Sequence, residues 1–159
     1  MAEKPRPAPV ITRSRAVWLG EKRFETGPQG RTHTIDAGAL VAPGPVETLL
    51  GAVATCSAVD VLEILAKRRT PVEALRIEVA AERRPVAPRR VRRLELEYHI
   101  DGAGIDRVHA ERAVRLALGK YCSVAASISG DIVVTARVVT NGQAAPSMSL
   151  QVWCAPDTE

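Results

Sequence analysis

Residues 44–67, GPVETLLGAVATCSAVDVLEILAK, constrain the chain most. Apolar side chains recur at Val46, Leu49, Leu50, Val53, Ala54, Val61, Leu62, Ile64 and Leu65. Spacings of three and four put these on one wide arc of a helix, so the helix must be buried on most sides. Pro45 suits a first turn, where its missing N–H costs nothing, and Glu47 suits the positive end of the helix dipole. Lys67, Arg68 and Arg69 complement the opposite end, and Pro71 stops the helix. A helix this apolar needs other elements wrapped around it.

The rest of the chain offers strands to do so. Residues 10–19, 22–26 and 31–37 read as three strands separated by Gly20-Glu21 and GPQG at 27–30, an antiparallel meander ahead of the helix. In 75–82, Leu75, Ile77, Val79 and Ala81 alternate with Arg76, Glu78, Ala80 and Glu82; in 93–101, Leu94, Leu96, Tyr98 and Ile100 alternate with charged or polar residues. Both read as half-buried antiparallel strands. Asp106 can cap a second helix over 107–120, with Ala110, Ala113, Val114, Ala117 and Leu118 as its apolar stripe. A short third helix is expected over 122–128 and a last strand over 132–139. The expectation is an α+β fold: one domain over residues 10–140, a disordered tail over 1–9 and a loosely ordered tail over 141–159.

Composition narrows the function classes. A chain of 159 residues can bury a core, and one with 3% aromatics must build it from Ala, Val, Leu and Ile. The net charge of +4 is too weak alone to imply nucleic acid. Glu47, Asp60 and Glu63 interrupt the longest apolar stretch, so no membrane span is expected, and MAEKPRPAPV lacks the apolar core of a secretory signal. The expected compartment is the cytoplasm, where cysteines read as free or redox-active thiols.

Two of the three cysteines sit where chemistry is plausible. Cys56 lies mid-helix; alone it reads as a small buried hydrophobe. Its neighbours Ala52, Ala54, Thr55, Ser57 and Ala58 are small, which permits close approach by another element. Cys122 stands where a helix is expected to begin, and a helix N-terminus stabilises a thiolate. Sequence spacing does not by itself bring the two together. No CxxC occurs and His33, His99 and His109 lack ligand spacing with any cysteine, so no metal site and no cofactor are expected. Phosphate-binding glycine motifs and the GxSxG elbow are absent. Arg83, Arg84, Arg89, Arg90, Arg92 and Arg93 form a basic loop without interleaved aromatics, which reads as solvated rather than as a nucleic-acid contact.

The stretch GPVETLLGAVATCSAVDVLEILAKRR, two alternating strands and then AVRLALGKYCSVAASI together resemble the OsmC/Ohr family, the osmotically inducible and organic hydroperoxide resistance proteins. The resemblance runs from about Val17 to Val139. It is closest to the broader OsmC-like group, matching that group's helix motif at Gly44, Pro45, Glu47, Leu49, Leu50, Cys56, Ser57, Ala58, Asp60 and Val61. It implies antiparallel sheets wrapped around two central helices in an intertwined homodimer, with sites at the subunit interface. It also implies reduction of organic hydroperoxides in oxidative stress defence, with Cys56 as the peroxidatic cysteine, Cys122 as the resolving cysteine and an external dithiol as reductant. The family's glutamate and arginine leave candidates here in Glu47 and in Arg23 or Arg31, with Arg15 as a further choice. Val46 occupies the place of the glutamate that follows proline in the hydroperoxide-resistance members. Glu47 lies one residue later, about 13 Å along a continuous helix from Cys56 and on the opposite face. Asp60, four residues after Cys56, shares its face. The alternative reading is a non-catalytic module of the same fold that binds an apolar ligand.

Overall fold

The computed structural model describes residues 8–150. The chain divides into two compact units, Met1–Thr48 and Leu49–Glu159. Each unit has its own sheet with its own ladder.

The first unit is the antiparallel meander β1 (Arg15–Gly20), β2 (Arg23–Gly27) and β3 (His33–Asp36). Trp18 pairs with Phe24 and Phe24 with Ile35, so one apolar row crosses all three strands. Trp18 and Phe24 are exposed. Gly27 turns the chain at φ 132°, and a Cβ there would stand 2.4 Å from the Arg31 carbonyl oxygen, so only glycine fits. After β3, the buried Asp36 carboxylate accepts the N–H groups of Gly38, Leu40 and Val41 at 2.8, 3.1 and 3.2 Å. These bonds, the Gly38 one foremost, hold its carboxyl below the usual range. The turn leads into helix α1 (Pro45–Lys67). Its entry is a capping arrangement in which the Gly44 N–H donates to Glu47 Oε2 at 2.7 Å.

The second unit holds the rest of α1 and a sheet with the path β4 (Ala74–Arg83), β5 (Val91–Asp101), β6 (Val133–Thr140) and β7 (Gln143–Ala144). A further strand, β8 (Met148–Leu150), also pairs with β6. β4 and β5 are antiparallel, as their alternation implied. β5 and β6 are parallel, so the sheet is mixed. The reason is the connection: helix α2 (Arg107–Leu116), a π-helical turn (Ala117–Tyr121) and the single-turn helix α3 (Ser123–Ala126) carry the chain back before it re-enters the sheet. The helix expected over 107–120 thus changes to π geometry after Leu116, with the Cys122 N–H donating to the Ala117 carbonyl at 2.8 Å. Asp106 caps α2 as expected, accepting the His109 N–H at 3.0 Å. Residues 143–150, expected to be loose, form β7 and β8 instead, because β6 otherwise presents an unpaired edge. The rest of that expected tail, 151–159, and most of the tail expected over 1–9 lie outside the described residues.

The core lies between the inner face of this sheet and its helices. Leu94, Leu96, Tyr98 and Ile100 of β5, Val134, Ala136 and Val138 of β6, and Ala110, Ala113, Val114 and Ala117 are buried. Helix α1 contributes only one stripe, Val53, Ser57, Val61 and Leu65, each four residues from the next. Ser57 Oγ and the Tyr98 hydroxyl meet at 2.8 Å, joining the middle of α1 to the middle of β5. The other side of α1 is open: Leu49, Val59 and Leu62 are exposed. The charges at Asp60 and Glu63 do not disqualify α1 as a membrane span by composition, since it is long and apolar enough, with mean hydropathy 1.8. Its seat on the sheet through a buried stripe is nevertheless that of a packed helix.

The Ser57–Tyr98 pair gives an asymmetric expectation. Ser57 Oγ also donates to the Ala54 carbonyl at 3.0 Å, so it keeps a partner when the phenol is removed. Tyr98→Phe should therefore cost about 0.5–1.5 kcal/mol, and Ser57→Ala, which strands a buried phenol, about 1–3 kcal/mol. Urea unfolding at one fixed protein concentration reads both; equal costs, or the reverse order, would refute this account of the seat.

Candidate active site

The chemistry-bearing residues of α1 are those beside its buried stripe. Cys56 precedes Ser57 and is half-buried, and Asp60 lies one turn further along the same face. The π-helical turn after α2 ends at Cys122, which is buried with its thiol directed at α1. The sulfurs of Cys56 and Cys122 and a carboxylate oxygen of Asp60 all lie within 4.8 Å of one another. Both thiols are free. Disulfide closure to about 2.05 Å thus asks for side-chain rotation and a small backbone adjustment, not a rearrangement of elements.

Two opposing effects act on the Cys122 thiol. Cys122 Sγ accepts the Ala125 N–H at 3.3 Å, the capping contact expected at a helix start. That contact was expected to favour a thiolate. Burial outweighs it, and together with the hydrogen bond and charge of Cys56 it pushes the Cys122 thiol up to about 11. Burial and the helix-start contact thus act on Cys122 in opposite directions, and burial favours the protonated thiol. Asp60 is raised as well, first by burial and then by the charge of Glu63. Burial likewise raises the Tyr98 phenol, against the opposing effect of its hydrogen bond with Ser57, so burial favours the neutral hydroxyl.

The remaining candidates belong to the first unit. Glu47 is exposed and its carboxylate is engaged in capping its own helix at Gly44. Arg15 faces Glu25 at 3.8 Å. Arg23 is half-buried; one terminal nitrogen lies 3.4 Å from Glu21, while its Nε is buried and has no hydrogen-bond partner among the described residues. Arg31 is exposed. The arginine-rich loop is partly committed to structure: Arg83 Nε donates to the Arg89 carbonyl at 2.8 Å, and Arg90 forms a two-pronged ion pair with Asp131. The residue that sequence reasoning left without a role is Tyr98. Its place in an alternating strand signalled burial, but nothing in the sequence aimed its hydroxyl at Ser57.

Similarity to known proteins bears on the family and the fold. The sequence profile of the OsmC-like protein family matches residues 36–137. Protein YhfA of Escherichia coli strain K12 is 37% identical over 94 residues, spanning 59% of this chain and 70% of that protein. A hypothetical protein from Aquifex aeolicus VF5 has a crystal structure that superposes with a TM-score of 0.75 at 26% identity, covering 82% of this chain and 96% of that one. An organic hydroperoxide resistance protein OsmC from Legionella pneumophila shares the fold at a TM-score of 0.58 and 16% identity, covering 84% and 98%. By its matched span and its relation to YhfA, the chain belongs to the OsmC-like protein family.

Proposed function

We propose that the protein is a thiol peroxidase that reduces organic hydroperoxides with Cys56 and Cys122 as its redox pair. The observation that carries this reading is the approach of the two sulfurs, one half-buried and one buried, within 4.8 Å. Family membership and the fold shared with a hydroperoxide resistance protein support it.

The asymmetry of the pair supports the following roles. The half-exposed Cys56 meets the peroxide: its thiolate attacks the outer oxygen, the O–O bond breaks heterolytically, and the departing alkoxide takes a proton to leave as an alcohol. Cys56 is then a sulfenic acid. Cys122 attacks that sulfur, water leaves, and the disulfide forms. An external dithiol returns two electrons and two protons. For the polar groups that hold the departing oxygen, the family resemblance leaves Arg23 and Arg31 as candidates, and Arg23 Nε has no hydrogen-bond partner among the described residues. Glu47 stays a candidate only if its carboxylate leaves the cap at Gly44.

The active form in this reading is a homodimer. Leu49, Val59 and Leu62 on α1 and the Trp18–Phe24 row on the meander are apolar and exposed in one chain. Exposed apolar surface on each of these elements suits an interface. A second copy is a fitting occupant, as the family resemblance implies.

Three measurements bear on these points. With cumene hydroperoxide and a dithiol, the wild type should turn over, Cys56→Ser should fall to background, and Cys122→Ser should stop after one equivalent. Arg23→Ala should slow the reaction about 100-fold. Equal consumption by wild type and Cys56→Ser would end the peroxidase reading. Alkylation of the reduced protein, followed by peptide mapping, should label Cys122 at least tenfold more slowly than Cys56 at pH 7.5. The Cys122 rate should climb toward pH 11, since a thiol raised by burial ionises only as pH passes its folded value. A Cys122 rate that levels off below pH 8 would contradict the assignment. Sedimentation should show a wild-type dimer and a shift toward monomer in Val59→Glu; a monomeric wild type excludes the dimer.

A further inference from the structure

Linear spacing offers no metal motif in this chain, yet the fold gathers one donor set. Cys56 and Asp60 are four residues apart on α1 and project one above the other. Cys122 enters from the end of the π-helical turn. Two sulfurs and a carboxylate oxygen converge within 4.8 Å. We propose that the reduced protein binds a thiophilic divalent cation, zinc being the reference ion, through Cys56 Sγ, Asp60 carboxylate and Cys122 Sγ, and that the Cys56–Cys122 disulfide excludes it.

The donor chemistry selects the ion class. Thiolate ligands favour zinc and softer cations over magnesium or calcium, which seek oxygen donors. Around tetrahedral zinc, with Zn–S about 2.3 Å and Zn–O about 2.1 Å, neighbouring donors stand roughly 3.5–4 Å apart. A set already within 4.8 Å reaches that separation by small side-chain rotations. Binding releases the thiol protons to solvent, and the two thiolates and the carboxylate then more than offset the ion's double charge. They also supply three protein ligands, leaving the fourth position open on the side where Cys56 and Asp60 are only half-buried. The Ser57–Tyr98 hydrogen bond holds the turn of α1 next to Cys56, so two of the three ligands ride on a seated helix.

The metal and the disulfide compete for the same electron pairs. Joining the sulfurs removes two electrons and both anionic donors, leaving Asp60 alone. Binding therefore depends on redox state whatever the oxidant is. It does not require that the protein be a peroxidase.

The test uses the full-length reduced chain stripped of metal. Zinc is titrated against a chromophoric chelator, and cobalt(II) is used to read thiolate-to-metal charge transfer. The expected result is one zinc per chain and a thiolate–cobalt absorption band. Cys56→Ser and Cys122→Ser, both near-isosteric, should each weaken zinc binding at least 100-fold. Asp60→Asn should weaken it about 10- to 100-fold, and Cys154→Ser should leave it unchanged. Circular dichroism confirms that each variant is folded. Diamide-oxidised protein should not bind, and reduction should restore binding. Overturning results are a missing cobalt charge-transfer band, binding undiminished in any of the three ligand variants, loss on Cys154→Ser, or equal binding by the disulfide form. Metal binding with no hydroperoxide turnover would sink the peroxidase reading and leave this site standing; turnover without metal binding would do the reverse.

Discussion

The Ser57–Tyr98 hydrogen bond joins the middle of an apolar helix to the middle of the sheet, and the site depends on that seat. Both groups are fully buried. A buried hydroxyl without a partner is costly, so the pair fixes which face of α1 turns inward. Once Ser57 faces β5, Cys56 must sit at the edge of the contact and Asp60 one turn beyond it. A rotation of α1 by one residue would strand the phenol and carry the thiol away from Cys122.

The second constraint is the break in helical geometry after Leu116. The π-helical turn ends at Cys122, and the sulfur is tied back to the Ala125 N–H. That places a buried thiol opposite a half-exposed one. Burial keeps Cys122 protonated against the pull of its backbone donor. One sulfur is thus half-buried and the other buried, within 4.8 Å of each other.

Helix α1 buries only part of its apolar surface within the chain. Its buried stripe is one residue wide at each turn, while Leu49, Val59 and Leu62 remain exposed. The meander has a matching excess of apolar surface in Trp18 and Phe24. The wide apolar arc of residues 44–67 is thus only partly used within the chain. Glu47, which the family resemblance marks for chemistry, serves as a cap in this chain, because a carboxylate three residues after Gly44 is well placed to accept its N–H.

Much of this architecture is written in local pattern. The 3.6-residue period of α1, the two-residue period of β4 and β5 and the cap at Asp106 are short-range signals, and the elements form where those signals lie. The two cysteine motifs, in that order, also carried the family. The parallel pairing of β5 with β6, the strands at 143–150, the π-helical turn and the division into two units were not legible, because each depends on contacts between segments distant in sequence. The same limit applied to the site. The sequence determined that Cys56 and Asp60 share a helix face. Only the tertiary structure decided that Cys122 meets them and that burial outweighs its backbone donor, since both follow from how α1 and the π-helical turn pack, not from spacing along the chain.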